Sequence, residues 1–173
     1  MGLDIGLEKA GLHIAIGQDL EMTCVETMRA NGHNVLEGDI REIEPQRVLD
    51  LAGLDIGEPF LICGGPPCQP FSTAGKRLGI NDPRGSLFMD YIRMIDYIRP
   101  RFFIMENVKG IMSAPLKHVP IVERNKNEAE QQFGTVLEVI LSEFDKLGYK
   151  TVYGVLDAVN YGVPQFRERI VLV

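Results

Sequence analysis

Residues 59–72, PFLICGGPPCQPFS, join an apolar run to an elbow rich in glycine and proline. The run 59–65 predicts a strand, and Cys63 within it has the usual place of a structural cysteine, since free cysteines are most often buried. Cys68 instead follows the strand, between Pro67 and Gln69. This placement favours a side chain that is held out for chemistry, although an inert buried thiol remains the alternative.

Short apolar runs and amphipathic segments alternate on both sides of this stretch. The predicted strands are 12–18, 34–40, 59–65, 101–108, 151–159 and 169–173, and the predicted helices are 21–32, 44–53, 85–99 and 136–147. Strands that alternate with helices predict an α/β fold with a mostly parallel, doubly wound sheet. The strand 101–108, RFFIMENV, is apolar enough to predict burial on both faces.

The length and composition predict one soluble domain that covers residues 1–173. The chain is 45% hydrophobic and 24% charged, which is ordinary for a globular protein. No run is long enough to cross a membrane and no signal peptide is apparent, so we expect a cytoplasmic protein. Residues 113–133 break the alternation with prolines and charges, and we interpret them as a surface insertion.

The cysteines, histidines and net charge exclude several classes of protein. Three cysteines argue against a disulfide framework, and three scattered histidines without zinc-site spacing predict no metal. The net charge is −6, whereas a self-sufficient nucleic-acid binder usually carries a basic surplus. If the chain handles nucleic acid, its basic residues act locally, or much of the binding surface belongs to another polypeptide.

Polar side chains lie at or just after the carboxyl ends of four predicted strands, where open parallel sheets bind ligands. They are Asp19, Asp39, Cys68, and the pair Glu106 and Asn107. The two aspartates suit ribose hydroxyls and an adenine amino group, or are solvated turn acids. Cys68 suits a nucleophile, because cations such as Lys76 and Arg77 lower the pKa of a nearby thiol.

Glu106 has two interpretations that the sequence leaves open. A partly buried carboxyl at a strand end is pushed toward its protonated form and can donate to a substrate ring. Alternatively, Glu106 is a carboxylate paired with Arg167 or Arg169. These two arginines alternate at the predicted start of the last strand, so that both face the same side. They suit a base carbonyl, a phosphate or a carboxylate, or they are charges that protect a sheet edge.

Three segments in order, PPCQPFS, MENVKG and YGVPQFRERI, resemble the catalytic signatures of the cytosine-C5 DNA methyltransferases. The upstream segments GLDIGLEKAG, GQDLEMTCVETMRAN and GDI, and then DPRGSLFMDYIRMI, resemble cofactor segments of the same family. The resemblance covers nearly the whole chain except 113–133. It implies the Rossmann-like fold of S-adenosylmethionine-dependent methyltransferases, and double-stranded DNA with a flipped-out cytosine as substrate. It also implies a place in restriction-modification.

The resemblance implies a role for each matching residue. Cys68 would add to C6 of cytosine, Glu106 would contact the ring, and Arg167 with Arg169 would hold the base. Residues 71–85 would form a mobile loop that closes on DNA. The residues expected to bind S-adenosyl-L-methionine are Asp19, Leu20, Asp39, Ile40, Pro66 and Leu87. Those expected to contact substrate or DNA are Gln69, Ser72, Lys76, Arg77, Asn107 and Gln165.

The family pattern also extends beyond this sequence at both ends. The first strand, most of the glycine-rich loop and the target recognition domain have no counterpart in residues 1–173. We therefore expect the chain alone to be nearly inactive, and a second polypeptide that carries the missing segments to restore activity.

Other functions remain open at this stage. RNA could replace DNA as the substrate. The chain could be a catalytically silent remnant or subunit that acts as a binding partner. A thiol redox protein is a distant alternative, because no Cys-x-x-Cys pair is present.

Overall fold

The computed structural model describes residues 2–67, 86–114 and 135–173. The predicted mobile loop 71–85 and nearly all of the predicted insertion 113–133 lie outside these ranges, so both predictions stay untested. Contacts cluster into two compact units. The first comprises 1–63 and 93–101, and the second comprises 64–92 and 102–173. This clustering does not test the prediction of a single catalytic domain.

The first unit contains two short parallel strands that pair with each other, and three helices. Its elements are α1 (Gly2–Lys9), β1 (Gly17–Asp19), α2 (Met22–Ala30), β2 (Val35–Glu37) and α3 (Pro45–Ala52). Pro45 begins α3, where its missing N–H is no loss, and Gly53 ends it in the left-handed conformation at φ 67°. The buried side chains of the main apolar cluster are Leu36, Ile43, Leu49, Met94 and Ile98.

Two elements are divided between the units. β3 (Leu61–Gly64) contributes only Gly64 to the second unit, and α4 (Ser86–Ile98) contributes its residues up to Ile92. The predicted strand 59–65 and the predicted helix 85–99 are thereby confirmed within one or two residues. Pro100 follows α4, as a residue that cannot continue a helix.

The second unit contains an antiparallel part of the sheet. Its further elements are β4 (Phe102–Val108), α5 (Thr135–Lys146), β5 (Tyr153–Asp157) and β6 (Glu168–Leu172), with 3₁₀ turns at Lys109–Ser113 and Ala158–Tyr161. β6 lies between β4 and β5 and is antiparallel to both. The predicted α/β fold with a mostly parallel sheet is confirmed: β4 and β5 run in the same direction, and β6 between them runs in the opposite one. The connection 158–167 holds a 3₁₀ turn and no crossover helix, and a parallel connection needs a longer crossover.

β4 is buried on one face, and the prediction of burial on both faces is wrong. Its exposure alternates along the strand, with Phe103 and Met105 buried and Phe102 43% exposed. The Phe103 ring stacks on Phe144 of α5 with ring centroids 3.9 Å apart. The alternate face carries the charged Glu106, which a fully buried strand does not tolerate without compensation.

Gly64 is required where the ring of Tyr91 crosses the end of β3. A Cβ at position 64 would lie 2.9 Å from Cε2 of Tyr91. Tyr91 is 5% exposed, and its hydroxyl donates a hydrogen bond to the carbonyl oxygen of Ile104 at 2.9 Å. Its burial and this hydrogen bond leave the Tyr91 ring little room to move away from a Cβ at position 64. Gly64 and Tyr91 thus fix the point where the chain turns toward the elbow.

Replacing Gly64 by alanine is expected to lower the free energy of unfolding by about 1–3 kcal/mol, the usual cost of overpacking. Urea denaturation monitored by circular dichroism measures the change. Gly154→Ala is the matched control, because a Cβ at this position in β5 meets no atom within 4 Å. Equal stabilities of the two variants would show that Tyr91 moves aside freely.

Candidate functional site

The chain that leaves β3 lies against the end of β4 in the second unit. Nδ2 of Asn107 donates to the carbonyl oxygen of Pro66 at 3.1 Å, and its Oδ1 accepts from the N–H of Val108 at 2.8 Å. Asn107 is 6% exposed, so both ends of a buried amide are satisfied. Asn107 therefore fixes the backbone two residues before Cys68.

Gly65 brings the same backbone close to Glu106. A Cβ on Gly65 would lie 3.3 Å from Oε2 and 3.5 Å from the carbonyl oxygen of Glu106. That spacing is tight for any larger residue, so the double glycine 64–65 permits the close approach. The sequence places Glu106 and the Cys68 elbow at strand ends, and the structure brings Gly65 of that elbow to Glu106 and Pro66 to Asn107.

Glu106 forms an ion pair with Arg169 across two antiparallel strands. Nε of Arg169 lies 3.0 Å from Oε1 of Glu106, and both side chains are partly exposed. In the register, Glu106 is opposite Val171 and Val108 is opposite Arg169, so the pair lies diagonally on one face. This geometry corresponds to the second sequence interpretation, a carboxylate paired with an arginine.

Arg167 does not share this strand with Arg169, because β6 begins at Glu168. Its backbone N–H donates to Oδ1 of Asp157 at 2.9 Å. Asp157 also caps the 3₁₀ turn at Ala158–Tyr161 through the N–H of Val159. Arg167 thus lies one residue before the strand, its carbonyl oxygen accepts from the N–H of Ala158 at 3.2 Å, and the prediction that both guanidinium groups face the same side stays a prediction.

The two aspartates lie together in the first unit. Asp19 ends β1 and Asp39 follows β2, and these strands are parallel neighbours. The N–H of Gly38 donates to the carbonyl oxygen of Asp19 at 3.1 Å, which joins the two strand ends. Gly38 has φ 148°, a conformation that side chains rarely adopt. Leu20, the next residue after Asp19, is 58% exposed.

Asp39 is already engaged by a cation from its own loop. Nε of Arg41 donates to Oδ1 and Oδ2 of Asp39 at 2.9 and 3.0 Å, and the backbone N–H of Arg41 donates to Oδ1 at 2.9 Å. Hydrogen bonds from the Arg41 side chain, above all, lower the pKa of Asp39 to about 2. Asp39 is therefore a carboxylate near neutral pH. Both oxygens of Asp39 already accept from Arg41, including a hydrogen bond from its Nη2 to Oδ2, so a ligand donor at Asp39 would share or displace one of these contacts.

Two further predicted site residues, Leu87 and Gln165, lie in the second unit. Leu87 lies in the first turns of α4 and is half-buried, and Gln165 lies in the exposed connection before β6. Cys68, Gln69, Ser72, Lys76 and Arg77 lie outside the described residues. Burial raises the pKa of the Cys63 thiol to about 11, in agreement with its structural interpretation.

Two absences hold for the described part of the chain. Within 2–67, 86–114 and 135–173, no three metal-binding side chains cluster. Over the same ranges, no helix has the length and apolar character needed to span a bilayer.

The sequence did not point to three residues that hold the backbone around the candidate site by hydrogen bonds. Asp157 had a usable signal, since aspartate is a preferred residue before a helical turn. Tyr91 and Arg93 gave none, because both lie within an ordinary amphipathic helix. Arg93 donates to the carbonyl oxygens of Ile43 and Ile40, at 3.0 and 2.6 Å.

Solved structures share this α/β arrangement, which defines the fold as Rossmann-like. A prophage protein of Escherichia coli, described as a DNA modification methyltransferase, superposes with a TM-score of 0.72 at 22% identity, over 99% of this chain and 42% of its own. A DNMT2 mutant of Spodoptera frugiperda gives 0.65 at 25% identity, over 99% and 45%.

The chain belongs to the C-5 cytosine-specific DNA methylase family, whose model matches residues 1–173. It is 37% identical to Type II methyltransferase M.AquIA of a Picosynechococcus species, over 99% of this chain and 66% of the relative. It is 39% identical to Type II methyltransferase M.FnuDI of Fusobacterium nucleatum, over 99% and 43%. The chain thus spans between about two fifths and two thirds of these relatives.

Proposed function

We propose that the protein transfers a methyl group from S-adenosylmethionine to C5 of cytosine in DNA, through a covalent bond between Cys68 and C6. The single observation that carries the proposal is the contact of Gly65 and Pro66 with Glu106 and Asn107. Cys68 follows Pro66 by two residues, and each residue extends the chain by at most about 3.8 Å. The nucleophile and the glutamate would therefore act on the same ring.

The side chains at the strand ends of the first unit have the chemical character needed to bind S-adenosylmethionine. Asp19 and Asp39 offer carboxylate oxygens at adjacent parallel strand ends, which suits a ribose diol and an adenine amino group. The exposed Leu20 offers an apolar surface for a planar base. Ile40 follows Asp39 in the same loop, and Pro66 and Leu87 are proposed for the remainder. When bound, S-adenosylmethionine supplies the methyl group.

The chain's own residues would perform the remaining steps on a cytosine flipped out of the duplex. The Cys68 thiolate forms a bond to C6, and the electrons of the C5–C6 double bond move to C5, which becomes nucleophilic. Glu106 contacts N3 and the exocyclic amine as charge develops in the ring, and Arg169 holds the Glu106 carboxylate in place. After C5 is methylated, a base removes the C5 proton. The double bond then re-forms and the sulfur leaves.

Several further residues are proposed to hold the substrate. Arg167 would help to hold the flipped cytosine from the connection before β6. The proposed contacts to DNA are Gln69, Ser72, Lys76, Arg77, Asn107 and Gln165. For Asn107 the observed hydrogen bonds favour a role in fixing the elbow, because both ends of its amide are already engaged.

The test is transfer of a tritiated methyl group from S-adenosylmethionine, measured with the protein at its natural length. We expect label in duplex DNA and none in RNA of the same sequence. Label in RNA alone would favour the RNA alternative, and no label in either, with intact cofactor binding, would favour a silent binding partner. The same assay on residues 1–173 alone tests the expectation of low activity. The comparisons do not support a second polypeptide, which stays a prediction, as does the cytoplasmic location.

A further inference from the structure

Arg93 joins the middle of α4 to the loop that follows β2. Its guanidinium donates to the carbonyl oxygen of Ile40 at 2.6 Å and to that of Ile43 at 3.0 Å. All three residues belong to the first unit. Hydrogen bonds from an ionised donor are stronger than neutral ones. A planar guanidinium that donates to two carbonyls also fixes their relative orientation.

The segment 39–43 is a compact turn with hydrogen bonds of its own. The N–H of Glu42 donates to the carbonyl oxygen of Asp39 at 2.9 Å, and that of Ile43 to the carbonyl oxygen of Ile40 at 3.4 Å. Ile43 is 5% exposed and anchors the end of the turn in the apolar cluster. Arg93 reaches the carbonyl of Ile40, one residue beyond the Asp39 carboxylate.

We propose that Arg93 is a positioning residue for cofactor binding, which acts by holding the main chain of 40–43 and thereby the Asp39 carboxylate and Ile40. The inference rests on the proposed binding of S-adenosylmethionine by Asp39 and Ile40. Arg93 acts through the turn, so its loss changes the affinity for the cofactor more than the rate of the chemical step.

Arg93→Met in the natural-length protein removes both donors while it keeps an unbranched chain in place of the aliphatic part of the arginine. We expect the Kd for S-adenosylmethionine, measured by titration calorimetry, to rise about tenfold, as the loss of a charge-assisted hydrogen bond predicts. The KM for the cofactor should rise with it while kcat stays near the wild-type value. Arg93→Lys keeps the cation but cannot donate to both carbonyls in the same way, and its Kd should be intermediate.

Hydrogen exchange of the amides of residues 40–43 provides a readout that needs no ligand. In the unliganded protein these amides should exchange faster in Arg93→Met than in the wild type. Arg29→Met is the matched control, because Arg29 lies in the same unit and pairs with the exposed Glu37 at 3.5 Å. It should change neither the exchange of 40–43 nor the Kd.

Two results would overturn the inference: exchange of 40–43 that is unchanged in both Arg93 variants, or faster exchange with an unchanged Kd. Failure of the proposed function has a different signature. In that case the wild-type protein itself does not bind S-adenosylmethionine, while the exchange data still report whether Arg93 holds the turn. If Arg93→Met does not fold, the same comparisons are made with Arg93→Lys.

Discussion

Replacing Cys68 by serine is expected to abolish methyl transfer to DNA, with a loss on the order of 10⁴-fold or more in kcat. A serine hydroxyl remains protonated at neutral pH and is a far weaker nucleophile than a thiolate, so C5 is not activated. The measurement is tritium transfer from S-adenosylmethionine into duplex DNA by the natural-length protein. Circular dichroism and urea denaturation should show an unchanged fold.

The other cysteines supply controls for this variant. Cys24 is exposed, and Cys24→Ser should transfer methyl groups at the wild-type rate. Cys63 is half-buried and its pKa is raised to about 11, so Cys63→Ala should affect stability more than turnover. Near-normal turnover by Cys68→Ser would contradict the assignment of the nucleophile, whatever the other variants do.

Replacing Glu106 by glutamine is expected to lower kcat by about 10²–10⁴-fold, the usual contribution of a positioned acid or base. Glutamine keeps the size of the side chain but loses the negative charge that pairs with Arg169 and that responds to charge in the substrate ring. Single-turnover kinetics under saturating DNA separate this loss from weaker binding. The KM for DNA should change much less than kcat.

Glu168→Gln is the matched control for Glu106→Gln. Glu168 lies at the start of β6 and pairs with Lys109 at 2.9 Å, and both side chains are about half exposed. Exposed ion pairs contribute little, about 0–1 kcal/mol, so this variant should keep wild-type turnover. Equal losses of turnover in Glu106→Gln and Glu168→Gln would show that Glu106 contributes only a negative charge to the protein surface and has no specific role at the substrate.

The sequence predicted α2 to α5 and the strand 59–65 within two residues because their signals are local, whereas the predicted strand 12–18 is a strand only at Gly17–Asp19. The apolar spacing of α4 and α5 and the stops at Gly53 and Gly148 depend on neighbours along the chain. The direction of β6 depends on pairing between distant segments, which periodicity does not report. The expected mostly parallel sheet holds for β4 and β5, and β6 runs the other way because the connection from β5 contains a 3₁₀ turn in place of a crossover helix.

For the described candidate residues, the sequence predicted which of them lie near one another better than it predicted their contacts. The position of these residues at the carboxyl ends of strands predicted that Asp19 lies near Asp39 and that the Cys68 elbow lies near Glu106. It predicted no distances. It could not decide between a protonated Glu106 and one paired with Arg169, because the choice depends on a diagonal register between β4 and β6. The engagement of Asp39 by Arg41 was equally hidden, since a two-residue separation does not specify a side-chain contact.

The covalent bond between Cys68 and C6 is the central claim, and a duplex that contains 5-fluorocytosine tests it most directly. Fluorine at C5 cannot be removed as the proton is, so the sulfur cannot leave and the protein stays bound to the DNA. With S-adenosylmethionine present, the account predicts an adduct that survives denaturation and maps by mass spectrometry to the peptide that contains Cys68. A protein that methylates cytosine at C5 but yields no adduct, or one attached at another residue, would contradict it.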